Sequence, residues 1–124
     1  MVLMDAVPLA DLLQALADPT RLRILALLRR MELSVGELAQ ILDQSQPRVS
    51  RHVRILADAG AVERRKEGSW VFLTIAPAER TGPMFALIDA WIDERSDAIF
   101  ERDAAQLETI RAERAEAASR YFAS

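Results

Sequence analysis

The sequence predicts a mainly helical domain with one small β-hairpin, an α+β arrangement that rests on three observations. The run 45–60 (SQPRVSRHVRILADAG) opens on a serine cap, carries proline in its first turn and stops on glycine, the marks of a bounded helix. Just upstream, Ser34-Val35-Gly36-Glu37 is a capping box followed by the apolar stripe Leu38, Ile41 and Leu42, which gives a shorter helix ending near Asp43. Downstream, two strand-like runs, 61–66 and 70–75, flank the turn residues Glu67-Gly68-Ser69. Two short helices joined at Asp43-Gln44-Ser45 and followed by a basic hairpin have the plan of a winged helix-turn-helix.

Residues 1–8 carry too little pattern to assign. Leu9, Leu12, Leu13 and Leu16 then form a helical stripe. Asp18-Pro19 opens a second helix, with Asp18 as cap and Pro19 at its first position. Leu22, Leu25, Leu27 and Leu28 make one side apolar, while Arg29 and Arg30 suit its C-terminal dipole, so this is the expected scaffold helix. In 45–60, Val49, Val53 and Leu56 face inward, leaving Arg48, Ser50, Arg51 and Arg54 on the other side. Those donors, with Ser45 and Gln46 at the helix start, suit phosphate oxygens and base edges in a major groove.

His52 has two readings, a phosphate or base contact and a packing residue at the core edge. In the hairpin, Trp70, Phe72 and Thr74 alternate with Val71, Leu73 and Ile75, so one face packs on the core and a neighbouring helix covers the other. Arg64, Arg65 and Lys66 approach the tip, where they reach phosphates or a minor groove. Charged residues there also keep a sheet edge soluble, but an adjacent basic helix favours a continuous DNA surface.

A net charge of −3 looks unsuited to nucleic acid until it is partitioned. Residues 44–66 hold six basic side chains against two acidic ones, a net of +4, and 81–124 hold five against nine, a net of −4. Binding follows the local field, so a basic reading face sits on an acidic remainder. At 124 residues the chain is one domain by length, and a hydrophobic content of 51% excludes disorder. The longest apolar runs are far short of a membrane span, and no signal-peptide pattern opens the chain. With no cysteine, disulfides and thiol chemistry are excluded, and a cytoplasmic setting fits.

Thr81-Gly82-Pro83 reads as a break before a long helical region, dividing a reading unit at 1–80 from a helical dimerisation or linker region at 81–124. Met84, Phe85, Leu87, Ile88, Trp91 and Ile92 give that region more apolar surface than a small winged domain has room to bury. The natural home is a dimer interface shared with Leu9, Leu12, Leu13 and Leu16; the alternative is that they cap the core of a monomer. From 96 onward Ala, Glu and Arg dominate, and Phe100, Ala104, Leu107, Ile110 (or Arg111) and Arg114 recur at heptad-like steps that reach Tyr121 and Phe122, as in an extra dimerising or packing helix; the negative charge argues against a DNA arm. The excess apolar surface, including Trp91 and Phe85, also marks where a small-molecule inducer would sit, between the C-terminal helices and the winged core.

Asp89, Asp93, Asp97 and Glu101 follow i, i+4 spacing, which more often means a solvated helix face than a cation site. No nucleophile–base pair, phosphate-cradling loop or cofactor fingerprint is present, so neither an enzyme nor a cofactor or metal is expected.

Three motifs in order resemble the ArsR/SmtB winged-helix regulators: Asp18-Pro19-Thr20-Arg21-Leu22-Arg23-Ile24-Leu25, Ser50-Arg51-His52-Val53 and Ala59-Gly60-Ala61-Val62. The resemblance covers roughly residues 9–76. It implies a homodimeric repressor acting on double-stranded DNA, with an inverted repeat as operator. It also implies that His52 belongs to the DNA-binding motif. The family's thiol metal site matches Glu32-Leu33-Ser34-Val35-Gly36-Glu37-Leu38, where serine and glycine stand in place of thiolates. Its other metal site needs histidines in the last helix, and this chain has none there. Asp103, Leu107, Arg111, Arg114, Tyr121 and Phe122 resemble a linker helix found where such a domain precedes a methyltransferase. Two alternatives therefore stand beside the repressor: the N-terminal regulatory part of a longer SAM-dependent methyltransferase polypeptide, and a winged helix turned to protein contacts.

Overall fold

In the helices that build the reading unit, a side chain closes the first turn. Asp18 Oδ1 accepts the Arg21 N–H at 3.1 Å, with proline at the next position, and α2 runs Pro19–Leu28. Ser34 Oγ accepts the Glu37 N–H at 3.1 Å while Glu37 accepts the Ser34 N–H at 2.9 Å, and this reciprocal box starts α3, Val35–Leu42. Ser45 Oγ accepts the Arg48 N–H at 3.4 Å at the head of α4, Gln46–Asp58. Ahead of them lies α1, Pro8–Leu16; after them come β1 (Val62–Glu67), β2 (Trp70–Ile75), α5 (Ala78–Trp91) and α6 (Glu94–Ala123). This computed structural model describes residues 8–123.

The core sits where α2, α3, α4 and the hairpin meet. Ile24, Leu25, Leu33, Leu38, Val49, Val53, Leu56 and Leu73 are almost completely buried there, so the inward stripes expected of α2, α3 and α4 are observed. Burying each such aliphatic side chain is worth about 1.5–3 kcal/mol. The antiparallel hairpin pairs Val62 with Ile75 through Glu67 with Trp70. Its two-residue connection places Gly68 at φ 61, a conformation that favours glycine at the first position of a type II′ turn. Leu33 exchanges two backbone hydrogen bonds with Leu73 and adds a short third rung.

Gly60 ends α4 at φ 81, with the Ala61 N–H returning to the Leu56 carbonyl at 2.9 Å. The Arg80 guanidinium lies where a Cβ on Gly60 would fall. Gly60→Ala is therefore expected to cost about 1–2 kcal/mol through the left-handed backbone alone, with displacement of Arg80 in addition. A urea midpoint identical to wild type would contradict this.

Two expectations about the C-terminal half need correcting. Thr81-Gly82-Pro83 does not break the chain: α5 begins earlier, at Ala78, and continues through Pro83. The first turn is held by the buried Thr81 hydroxyl, which donates to the Ala76 carbonyl at 3.1 Å. Gly82 and Pro83 lie on the solvent side, where water can satisfy a carbonyl that proline leaves unpaired. The 80/81 division thus falls inside α5, and Leu107 and Ile110 of α6 join the same core as α2 and α3. The second correction concerns the four carboxylates. Ile92 is extended between α5 and α6, so Asp89, Asp93, Asp97 and Glu101 do not share one helix face. Among the described residues no cluster of three or more metal-ligating side chains exists.

Helix α6 has 30 residues, about 45 Å at 1.5 Å per residue. Asp103, Leu107 and Ile110 are buried and Phe100, Ala104 and Arg114 half-buried, which reproduces the heptad-like stripe. Two bidentate ion pairs lock it down. Arg23 donates to both oxygens of the buried Asp103 at 2.8 Å, and Arg114 grips Glu37, donating from Nε to Oε2 at 2.8 Å and from Nη2 to Oε1, with Nη2 also donating to the Glu32 carbonyl at 3.1 Å. Burial pushes the Glu37 carboxyl up, but the hydrogen bonds from Arg114 and Ser34 outweigh it and hold the group below its ordinary range. Among the described residues no helix is long and apolar enough to cross a membrane.

Candidate nucleic-acid interface

The turn between α3 and α4 fixes the reader helix. Asp43 adopts the left-handed conformation at φ 53, closing α3, and Gln44 then donates to the Thr20 hydroxyl at 3.1 Å, tying the turn to the start of α2. With Val49, Val53 and Leu56 sunk into the core, the opposite side of α4 must face solvent. Gln46, Arg48, Ser50, Arg51 and Arg54 are all exposed there, as is the cap Ser45. Arg51 stands one turn from Arg48 and one turn from Arg54, so the three guanidiniums form a continuous row. Their side chains make no hydrogen bond or ion pair among the described residues. The row is charged and unspent.

His52 lies at the border of this row. It is half-buried, and its Nδ1 is 3.2 Å from an Arg21 nitrogen and 4.0 Å from Asp18. Arginine cannot accept a hydrogen bond, so Nδ1 accepts and Nε2 carries the ring proton. Burial lowers the imidazole pKa, and Arg21, Arg48 and Arg51 push the same way against Asp18, all of which favours the neutral ring. Arg21 also donates to the Ala15 and Gln14 carbonyls at 2.6 and 3.2 Å, so it braces the end of α1 against α4. This bracing gives His52 a structural task at the core edge.

The hairpin separates three residues that the sequence runs together. Cross-strand pairing puts Arg64 opposite buried Leu73 and Lys66 opposite Val71, while Arg65 sits opposite Phe72 on the other face. Arg65 is already occupied. It donates to Glu32 at 2.6 Å and Glu67 at 2.8 Å and lies 5.3 Å from the Phe72 ring. Arg64 and Lys66 are exposed and unpaired among the described residues. Strand alternation in the sequence carries this distinction, since 64 and 66 share a parity that 65 lacks. Phe72 is covered by Arg114 of α6 as well as Arg65, whereas Trp70 stacks on Phe72 at 6.5 Å and stays 65% exposed.

The residues assigned to a dimer face divide. Met84 and Phe85 are buried in the chain's own core, and Arg29 stacks over the Phe85 ring at 4.1 Å, so neither is a free surface anchor. Leu12, Ile88 and Ile92 are half-buried. Leu9, Leu13 and Trp91 are exposed, Trp91 to 81%, and Leu87 joins them. Met84 and Phe85 lie where α5 packs on the core, while Leu87 and Trp91, nearer its C-terminal end, stay exposed.

Comparison with known proteins places this arrangement. Residues 18–64 match the model described as bacterial regulatory protein, arsR family. The arsenical resistance operon repressor of Escherichia coli K12 is 41% identical over 82 residues, 65% of this chain and 70% of that protein. The solved structure of HlyU from Vibrio cholerae superposes with a TM-score of 0.60 at 37% identity, covering 70% of this chain and 95% of that one. A homodimeric winged helix-turn-helix DNA-binding domain from Mycobacterium bovis gives 0.63 at 32% identity, over 72% and 80% of the respective chains. With that degree of identity and coverage, and a reader helix and wing in the same order, the chain belongs to the arsR family of bacterial regulatory proteins and is a DNA-binding transcriptional regulator rather than an enzyme.

Proposed function

We propose that this regulator is a homodimeric repressor that lays α4 of each protomer into successive major grooves of an inverted-repeat operator. The observation that carries the reading is the unpaired row Arg48, Arg51 and Arg54, flanked by Gln46 and Ser50 and continued by Arg64 and Lys66 on the wing. Arg51, at the centre of the row, is the proposed base reader; the outlying cations hold phosphates. Two copies are needed because one reader helix covers half a site, and the M. bovis relative is described as homodimeric. Leu9 and Leu13 of α1 with Leu87 and Trp91 of α5 are the proposed contact, edged by Leu12, Ile88 and Ile92. In this division of labour α4 and the wing read DNA, and the exposed faces of α1 and α5 pair the protomers, with residues 1–7 outside the described part. The proposed location is the cytoplasm, where bacterial DNA lies.

Selection of bound fragments from random DNA tests the proposal. Two inverted half-sites with centres about one helical turn apart, or a multiple of it, are expected. Enrichment of a single unpaired half-site would contradict it. Arg64→Ala or Lys66→Ala is expected to weaken binding to all sequences alike and to reduce the salt slope by about 1. Arg65→Ala is expected to change affinity by less than about twofold, because its guanidinium is directed to Glu32 and Glu67 on the sheet face opposite Arg64 and Lys66. A full unit of salt slope lost on Arg65→Ala would reverse that assignment.

A further inference from the structure

Between α2, α5 and α6 lies a cavity of about 490 Å³, large enough for a small organic molecule. Leu22, Leu25, Phe85, Ile88, Ile92 and Phe100 supply apolar and aromatic walls. The charges lining it are unequal once internal pairs are removed. Arg29 is neutralised by Asp89 at 2.8 and 3.1 Å, and Asp103 by Arg23. Asp97 and Glu101, one turn apart on α6, have no side-chain partner among the described residues and face a single unpaired cation, Arg30. The surplus is negative beside the Phe100 ring, and both features attract an organic cation.

The cavity is also mechanically connected to the reading unit. Its α6 wall belongs to the helix whose Arg114 grips Glu37, the reciprocal cap of α3, and lies 5.3 Å from Phe72 of the wing. Resting on the reading of this chain as a DNA-binding repressor, we propose that the α2–α5–α6 cavity is its effector site, that it takes an amine with an aromatic or bulky apolar body, and that α6 transmits occupancy to α3 and the wing. The ammonium sits between Asp97 and Glu101, and the body lies on Phe100, Leu22 and Ile88.

Three probes with one ring system separate charge from shape: tryptamine, indole-3-propionate and tryptophol. Amide NMR titration of the whole chain is expected to show tryptamine shifting residues of α2, α5 and α6 with a dissociation constant of about 1 mM or below, as suits a fragment of this size. The acid and the alcohol are expected to bind at least about tenfold more weakly, and Asp97→Asn with Glu101→Gln to erase the difference. Tryptamine is further expected to change the affinity for selected DNA in wild type. In Arg114→Gln it should still bind the cavity, but its effect on DNA affinity should be lost. No shifts up to about 10 mM, equal affinity for all three probes, or shifts mapping elsewhere would overturn the site. Binding in the cavity without any effect on wild-type DNA affinity would overturn the transmission. DNA affinity measured without any probe reports separately on the repressor reading, so the two can fail independently.

Discussion

Trp91→Ala is expected to separate the protomers while leaving each one folded. Trp91 is 81% exposed in the single chain, so its removal creates no cavity in the core. In a symmetric interface the same anchor occurs twice, and a buried aromatic at the centre of such a patch contributes about 2 kcal/mol or more per copy. Losing both raises the dimer dissociation constant about 1000-fold. Sedimentation at matched concentrations measures this, with circular dichroism showing an unchanged helix content. DNA affinity should fall in step, since a lone reader helix covers half a site. A wild type that sediments as a monomer at roughly tens of micromolar would sink the dimer model.

Asp103→Ala is expected to destabilise the fold strongly. Asp103 is 2% exposed and holds Arg23 through two 2.8 Å bonds, joining α6 to the scaffold helix. Breaking a buried pair costs about 3–5 kcal/mol because a charge is left behind; Arg23 keeps some access to water, which brings the expected loss to about 2–4 kcal/mol. Urea unfolding reads it. Replacing both partners, Arg23→Met with Asp103→Leu, should recover most of the loss, since the stranded charge is then gone. If the double variant is no more stable than Asp103→Ala, stranded charge is not the cause.

Caps and periodicity made most of this fold legible in the sequence. Asp18, Ser34 with Glu37, and Ser45 each close the turn expected of them, because a cap is a local bond that neighbouring residues suffice to specify. The strand β2 occupies 70–75 as read, and β1 is shifted by one residue. What escaped was set by distant partners. In the sequence Thr81-Gly82-Pro83 looks like a break, yet the helix through Pro83 is anchored by Thr81 and by the burial of Met84 and Phe85. Arg64, Arg65 and Lys66 look alike in the sequence because all three are basic, but Glu32, from 33 residues earlier, holds Arg65. His52 had two readings open, and the Arg21 contact that favours the structural one comes from another helix.

The most direct test of the account compares wild type and Arg51→Ala on a selected operator and on random duplex of the same length and salt. Arg51 is exposed, unpaired among the described residues and central in the row on α4, so it is assigned to a base edge rather than a phosphate. The expected result is a loss of about 1–3 kcal/mol per half-site on the operator, with a much smaller loss on random DNA and relaxed preference at one position. Equal losses on both would mean that α4 contributes charge but reads no sequence, contradicting the central claim.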